Sequence, residues 1–175
     1  MKKVLAAIVM IPSMMLAQGS APVTGVGTAA MTWQGNMKWI TMAADQMSEA
    51  DYAFKPTAGV RSFGDLIGHV AGAQHMFCAA VLGDKMTAED DIEKNVHSKA
   101  GLVAALKASN EYCGRAYKLT DADAAATVKL FGSDMSKMYV LMLNSTHIAE
   151  HYGNIVTYMR MKSMVPPSSQ PAAGQ

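Results

Sequence analysis

Two histidines lie four residues apart in the segment NSTHIAEHYGN, which occupies residues 144–154. On an α-helix, residues at this spacing project side by side, so the imidazoles of His147 and His151 can reach one cation. Neutral imidazole nitrogen is a common ligand of divalent transition metals. The pair alone leaves two other interpretations open: a pair of surface histidines, or a buried pair satisfied by nearby carbonyl groups. A third ligand would favour the metal.

His69 is the candidate third ligand. It falls in the middle of a predicted helix beside the apolar residues Leu66 and Val70, and the small residues Gly68 and Gly72 leave space around it. Three neutral imidazoles from two helices, with a fourth position left open, are typical of a catalytic zinc-type site rather than of a closed structural one. The sequence therefore predicts a divalent metal site.

The other histidines and two nearby acidic residues have weaker claims on this site. His75 lies about 240° around the helix from His69, which predicts solvent or an interface, and His97 falls in a charged connection. Glu150 is the candidate catalytic residue, which orients a ligand or accepts a proton; the alternative is a solvated helix residue. For Asp65, a helix cap is favoured over support of the metal ligand.

The string HIAEH also matches the H-x-x-E-H pattern of inverted zinc proteases. Such an enzyme needs a larger fold and a further acidic ligand downstream, whereas no Asp or Glu follows His151. The sequence also contains no phosphate-binding glycine motif and no serine-nucleophile signature. We therefore reject the protease, and hydrolysis of a small molecule at a divalent metal is the predicted reaction class.

The elements that position these residues come from a chain of 175 residues, half of them apolar, with a net charge of +1. A chain of this length builds one domain with a sizeable core. Lysines and arginines are scattered rather than clustered, so a nucleic-acid partner is not expected. The many methionines are interpreted as flexible core residues; a copper site is disfavoured because they form no tight cluster at ligand spacing.

Residues 1–21 have the layout of a secretory signal peptide, with two lysines, an apolar run and small residues near the end. Cleavage after Ala17 is favoured over cleavage after Ala21, which would leave Pro22 at the new terminus. The alternative is an uncleaved anchor, but the run is shorter than the roughly 20 residues that a membrane span needs. We expect a periplasmic or secreted protein with no stable membrane anchor after processing.

Apolar residues recur at helical spacing in four segments, which predicts an all-α four-helix bundle over residues 22–165 without a convincing strand. The predicted helices run over residues 28–47, from Ser62 to Gly83, from Ser98 to about residue 116, and from Ser133 to about Arg160. The predicted buried face of the last helix consists of Met135, Met138, Met142 and Ala149. Consecutive prolines stop this helix, so residues 166–175 are predicted to form an extended tail.

The connection between the second and third helices is long enough to cross the whole bundle. Its residues, 84–97, can span about 45 Å when extended, against about 30 Å for the second helix, so these two helices can run parallel. Cys78 and Cys113 then lie at matching heights. In an exported protein this predicts a disulfide between them, with two reduced and buried thiols as the alternative.

Two segments of the chain resemble the DinB-like family of DNA-damage-inducible four-helix proteins, which includes metal-dependent hydrolases and thiol-dependent transferases. They are DYAFKPTAGVRSFGDLIGHVAGAQHMFC and THIAEHYGNIVTYMRMKSMVPPSS, and a weaker helical match covers nearly all of the mature chain. The resemblance implies an up-down-down-up bundle, in agreement with the long crossover between helices 2 and 3. It also implies a divalent metal, often nickel or zinc, held by His69, His147 and His151.

The sequence thus predicts an exported metal-dependent hydrolase acting on an unidentified small molecule. One alternative is a non-enzymatic secreted bundle that stores or senses metal or serves only as structure. A second is a thiol-dependent transferase, although the relatives with that chemistry are mainly cytoplasmic. Bundles of this kind often pair through an exposed helix face, so a homodimer is a further expectation. The family name records how an early member was induced and carries no implication of DNA binding.

Overall fold

Four long helices form the bundle in the computed structural model, which describes residues 23–171. They are α1 (Gly25–Gln46), α2 (Phe63–Leu82), α4 (Lys99–Ala116) and α6 (Lys137–Met161). The shorter elements are the helices α3 (Asp91–Asn95) and α5 (Asp121–Ala124), the strands β1 (Thr127–Leu130) and β2 (Ser133–Ser136), and 3-10 turns at Glu49–Ala53 and Pro167–Ser169. The predicted signal peptide lies outside the described residues. None of the described helices is long and apolar enough to span a bilayer.

Capping residues determine where α2 begins and ends and where α4 begins. The Ser62 hydroxyl accepts a hydrogen bond from the Asp65 backbone N–H, and the Asp65 carboxylate accepts one from the Ser62 N–H. This capping box explains the start of α2 and accounts for Asp65 without a metal. Gly83 ends α2 in the left-handed conformation, and Ser98 caps α4.

Contacts along α2 and α4 show that these two helices run parallel. Gln74 donates to Ser109 near the middle of both helices, and Cys78 and Cys113, one turn further along each, form a disulfide. The pairing therefore advances in the same direction on both helices, which requires the crossover predicted from linker length. The predicted disulfide is present.

The outer helices complete an up-down-down-up arrangement. α1 is antiparallel to α4, because Lys99 at the start of α4 donates to the Met47 carbonyl at the end of α1. α6 is antiparallel to α2: Tyr158, near the end of α6, donates to Arg61, just before α2. The predicted fold class is confirmed.

The start of the last helix differs from the prediction. Ser136, rather than Ser133, caps α6, because residues 133–136 form β2, which pairs antiparallel with β1. Phe131 and Gly132 both have positive φ and make the tight turn between the strands. Four-residue strands are too short to give a clear alternating pattern, so the hairpin was not predicted.

The buried face of α6 also differs from the prediction. Met142 is 54% exposed, and Met135, Met138 and Ala149 are only partly buried. The helix instead buries a face that includes Asn144 and Ser145. The face comprises Val140, Leu141, Asn144, Ser145, Ile148, His151, Tyr152, Ile155, Tyr158 and Met159. Both polar residues hydrogen-bond with the hydroxyl of Tyr117, which offsets part of the cost of burying them, while the Asn144 Oδ1 atom has no hydrogen-bond partner among the described residues.

The segment predicted as an extended tail packs against the bundle as far as it is described. Pro167–Ser169 form a 3-10 turn, and the Ser168 N–H donates to the Tyr152 hydroxyl at 2.9 Å. Gln170 and Gln46 pair through their amide groups. α6 ends at Met161, before the prolines at 166 and 167, and Ser163 turns the chain in the left-handed conformation. The chain then folds back toward α1 instead of extending away.

Candidate metal centre

Three histidines from two helices converge at one point inside the bundle. His69 comes from α2, while His147 and His151 lie one turn apart on α6. The Nε2 atoms of His69 and His147 are 3.2 Å apart, and those of His147 and His151 are 3.0 Å apart. All three candidate ligand atoms lie within 4.8 Å of one another. The structure brings together the three residues predicted as ligands.

Burial keeps these imidazoles uncharged at neutral pH. His69 is 4% exposed and His151 is 7% exposed. Removal from water lowers the pKa of His69 to about 4, and the positive charge of Arg61 acts in the same direction. Burial, followed by the two neighbouring histidines, lowers the pKa of His151 to about 3, and burial also lowers the pKa of His147. Their Nε2 lone pairs are therefore available to a cation.

The donor set fits a divalent metal ion. Nitrogen ligands arranged tetrahedrally at zinc-type bond lengths lie about 3.3 Å from one another, close to the two short Nε2 separations. The outward Nδ1 atoms of His69 and His147 are buried and make no hydrogen bond in the described part of the chain. An imidazole that ligates through Nε2 carries its proton on Nδ1, so these two atoms are in the position of donors that need acceptors.

Glu93 supplies the acceptor beside His69. Its Oε2 atom is 3.7 Å from the His69 Nδ1 atom, and both atoms are buried without a hydrogen-bond partner among the described residues. The other carboxylate oxygen accepts a hydrogen bond from the Nε–H of Arg61 at 3.0 Å. A carboxylate behind a ligating histidine fixes the tautomer and orientation of its ring. Sequence reasoning missed Glu93 because it lies in the charged crossover, where many acids occur together.

Two glycines of α2 allow the crossover to come this close. A Cβ atom on Gly72 would lie 2.2 Å from the carbonyl oxygen of Glu89, and one on Gly68 would lie 2.8 Å from the Cα atom of Glu93. The space predicted around His69 is thus filled by the backbone of the crossover. These glycines on the His69 face were the sequence signal for a close backbone approach.

A cleft of about 640 Å³ opens beside His151. His151 lies in its wall, together with Arg61, Glu93 and residues from the loop before α2 and the end of α6. The Asn154 side chain, also in the wall, is 3.4 Å from the His151 Nδ1 atom. A small molecule in this cleft would therefore have access to the edge of the metal centre.

Comparison with known proteins places this arrangement in a family. Residues 39–155 match the model of the DinB superfamily. The chain belongs to the DinB superfamily. The matched segment contains all three histidines as well as Glu93. No curated protein sequence matches the chain significantly.

Solved structures share the DinB fold at low sequence identity. A DinB-like protein from Bacillus cereus has a TM-score of 0.69 at 18% identity, over 79% of this chain and 93% of that one. YfiT from Bacillus subtilis, described as a probable metal-dependent hydrolase with an unusual four-helix bundle topology, has a TM-score of 0.63 at 12% identity, over 84% and 94%. A mycothiol-dependent maleylpyruvate isomerase has a TM-score of 0.60 at 13% identity, over 78% and 68%.

The remaining predicted residues lie at the margins of this DinB-superfamily site. Glu150 is exposed on α6, where its negative charge partly offsets the effect of burial on the pKa of His147. Its catalytic role stays a prediction. His75 is partly buried and stacks on Tyr112 with ring centroids 4.3 Å apart, and His97 is exposed. Neither belongs to the group of candidate ligands.

Proposed function

We propose that this DinB-superfamily protein is an exported metal-dependent hydrolase of a small molecule, with a zinc or nickel ion held by His69, His147 and His151. The observation that supports this most directly is the convergence of three uncharged Nε2 atoms beside an open cleft. A divalent ion held there supplies Lewis-acid chemistry, which polarises a substrate or activates water.

The residues around the histidines prepare the site for this chemistry. The Glu93 carboxylate lies 3.7 Å from the Nδ1 atom of His69, where a small shift would let it accept a hydrogen bond from the Nδ1–H and leave the Nε2 lone pair for the ion, while Arg61 holds the carboxylate in place. The cleft admits the substrate next to His151. Glu150, one turn from His147, is the proposed proton acceptor, and its exposed carboxylate can pass the proton on to solvent.

Elemental analysis of the purified protein tests the metal site. The wild-type protein should contain about one equivalent of zinc or nickel, and His147→Ala should contain little, because two imidazoles bind far more weakly than three. Metal lost during purification is restored by dialysis against each ion before a second measurement. Equal and negligible metal in both proteins after reloading would refute the metalloenzyme. Glu150→Gln serves as a control that keeps its metal.

Export is supported by the disulfide between Cys78 and Cys113, because such bonds persist in oxidising compartments. The test is expression of the full chain in a bacterial host, followed by fractionation and N-terminal sequencing of the product. We expect a periplasmic or secreted product that begins near Gln18. A full-length product that stays in the cytoplasm would contradict export.

Two alternatives follow from particular observations. The near-complete burial of His69 and His151 is also compatible with a site that only stores or senses metal. A thiol-dependent transferase is suggested by the fold shared with the mycothiol-dependent isomerase. Assays of the metal-loaded protein with panels of esters and amides, with and without low-molecular-weight thiols, separate these alternatives from hydrolysis. Turnover that requires the thiol would favour the transferase.

A further inference from the structure

We propose that the cleft beside His151 selects small molecules that combine a carboxylate with an apolar body, and that Arg61 recognises the carboxylate. This inference rests on the proposed function, because it places the substrate next to the metal ligands. It assigns Arg61 a second role, in addition to its contact with Glu93.

Most of the hydrogen-bonding capacity of Arg61 is free. Its only hydrogen bond from the side chain to another described residue runs from Nε to Glu93. A guanidinium group has five N–H donors, so the four on its two terminal nitrogens remain for a ligand. The side chain is 41% exposed and lies in the cleft wall. This fork matches a carboxylate, which accepts two parallel hydrogen bonds from it.

The backbone around Arg61 is fixed in position. Its carbonyl oxygen accepts a 2.7 Å hydrogen bond from the Tyr158 hydroxyl, and the next residue, Ser62, caps α2. The positive charge acts across the site, since it contributes to the lowered pKa of both His69 and His151. An anion bound by Arg61 therefore lies close to the ligands rather than at a remote part of the surface.

The other residues of the cleft wall indicate the charge and polarity of the rest of the ligand. Glu93 is already paired with Arg61, and the other polar residues of the lining, including His151, are uncharged. Pro56, Val60 and Leu66 add an apolar surface. At about 640 Å³ the cleft falls within the usual range for small-molecule sites. One guanidinium group with free N–H donors beside an apolar wall fits a monocarboxylate with an aliphatic or aromatic body.

Isothermal titration of the zinc-loaded protein with hexanoate and with hexanamide tests this inference. The two probes have the same shape, but only hexanoate is charged. Hexanoate should bind at least about 10-fold more tightly, because hydrogen bonds from the guanidinium group to a carboxylate are charge-assisted and those to an amide are weaker. Arg61→Gln should abolish the preference, and Arg61→Lys should retain part of it. Arg160→Gln, which removes an exposed arginine in the last turn of α6, is the matched control and should bind like the wild type.

Two further variants separate this inference from the metal hypothesis. Glu93→Gln removes the negative charge beside the guanidinium group and should bind hexanoate at least as tightly as the wild type, and weaker binding would count against the carboxylate site. His147→Ala should keep the preference for hexanoate over hexanamide even without metal. If neither the wild type nor any variant binds metal, but substitution of Arg61 still changes hexanoate binding, the proposed function fails and the carboxylate site stands. Equal binding of the two probes, or hexanoate binding that Arg61→Gln and Arg61→Lys leave unchanged, would overturn the carboxylate site.

Discussion

Each imidazole of the candidate metal centre has its Nε2 atom turned toward the other histidines and its Nδ1 atom turned away from them. For His69, the Nδ1 atom faces Glu93, which arrives from the crossover and is itself held by Arg61. The orientation of His69 therefore depends on Glu93 in the crossover and on Arg61 just before α2. This dependence can be measured as metal affinity.

Glu93→Gln should weaken zinc binding by about 10- to 100-fold, which is the usual effect of removing the carboxylate behind a ligating histidine. The affinity is measured by competition with a chromogenic chelator. Glu111→Gln removes the same charge from an exposed position on α4 and should leave the affinity unchanged. A Glu93→Gln protein that binds zinc like the wild type would show that the 3.7 Å contact has no role in orienting His69.

The lowered histidine pKa values predict how the metal-free protein responds to acid. In the unfolded chain the three histidines take up protons near their ordinary pKa of 6.5, whereas in the folded chain His69 and His151 stay neutral until about pH 4 and pH 3. The free energy of unfolding should therefore be highest above pH 6.5 and fall as the pH decreases toward 4. Urea unfolding across this range measures it, and His151→Gln should show a shallower decline. A flat profile from pH 7 to pH 5 would contradict the burial of these rings.

The sequence revealed the ligands better than the residues that orient them. His147 and His151 were found from their spacing, and His69 from its place among small and apolar residues on a predicted helix. Glu93 carries no comparable signal, because its role depends on where a long connection crosses α2. Nothing in the local sequence distinguishes it from the neighbouring acids Glu89 and Asp90.

At the scale of the elements, the backbone of the crossover packs directly against the backbone of α2. Gly68 and Gly72 make this contact, and the side chain of Glu93 reaches the site only because the contact is so close. A methyl group at Gly72 would force the two segments apart.

Gly72→Ala should destabilise the protein by about 1–3 kcal/mol, since the added Cβ atom would overlap the Glu89 carbonyl. It should also weaken zinc binding by moving Glu93. Gly114→Ala is the matched control: beyond the neighbouring residues and backbone of α4 itself, no atom of the described residues lies within 4 Å of its new Cβ, so it should stabilise α4 by about 0.5–1 kcal/mol. Thermal unfolding and the chelator assay measure both variants. A tolerated Gly72→Ala with unchanged affinity would argue against the close contact.

Helix boundaries were predictable where a cap and an apolar stripe coincided. Ser62 and Ser98 satisfy both conditions, and both cap their helices. Ser133 and Ser136 are equally good caps by residue type, and only the strand pairing of β1 with β2 decides between them. The buried face of α6 differs from the prediction because the apolar Met138 and Met142 are partly buried or exposed, whereas the polar Asn144 is fully buried.

For the whole molecule, linker and helix lengths show only that α2 and α4 can run parallel, and the up-down-down-up arrangement is what the resemblance to the DinB-like family implies. A connection long enough to cross the bundle allows α2 and α4 to run parallel, and the heights of Cys78 and Cys113 then match. The hairpin and the folded-back tail had no such long-range signal, since each depends on tertiary contacts that the local sequence does not specify.

The disulfide should contribute about 3–4 kcal/mol to stability, as expected for a bond that closes a loop of 35 residues. The double variant Cys78→Ala/Cys113→Ala should unfold at a correspondingly lower urea concentration. Cys78→Ala alone leaves one free thiol and calibrates the thiol titration. Thiol titration of the denatured, unreduced wild-type protein should detect no free thiol. Two titratable thiols in that experiment would refute the bond.

The crossover has one further consequence for how this protein can vary. The long helices supply the three histidines, whereas the crossover supplies Glu93, whose carboxylate lies 3.7 Å from the Nδ1 atom of His69. A substitution at Glu93 can therefore change metal affinity while all three candidate ligands stay in place. Metal affinity is thus open to adjustment from a connecting segment, outside the four long helices.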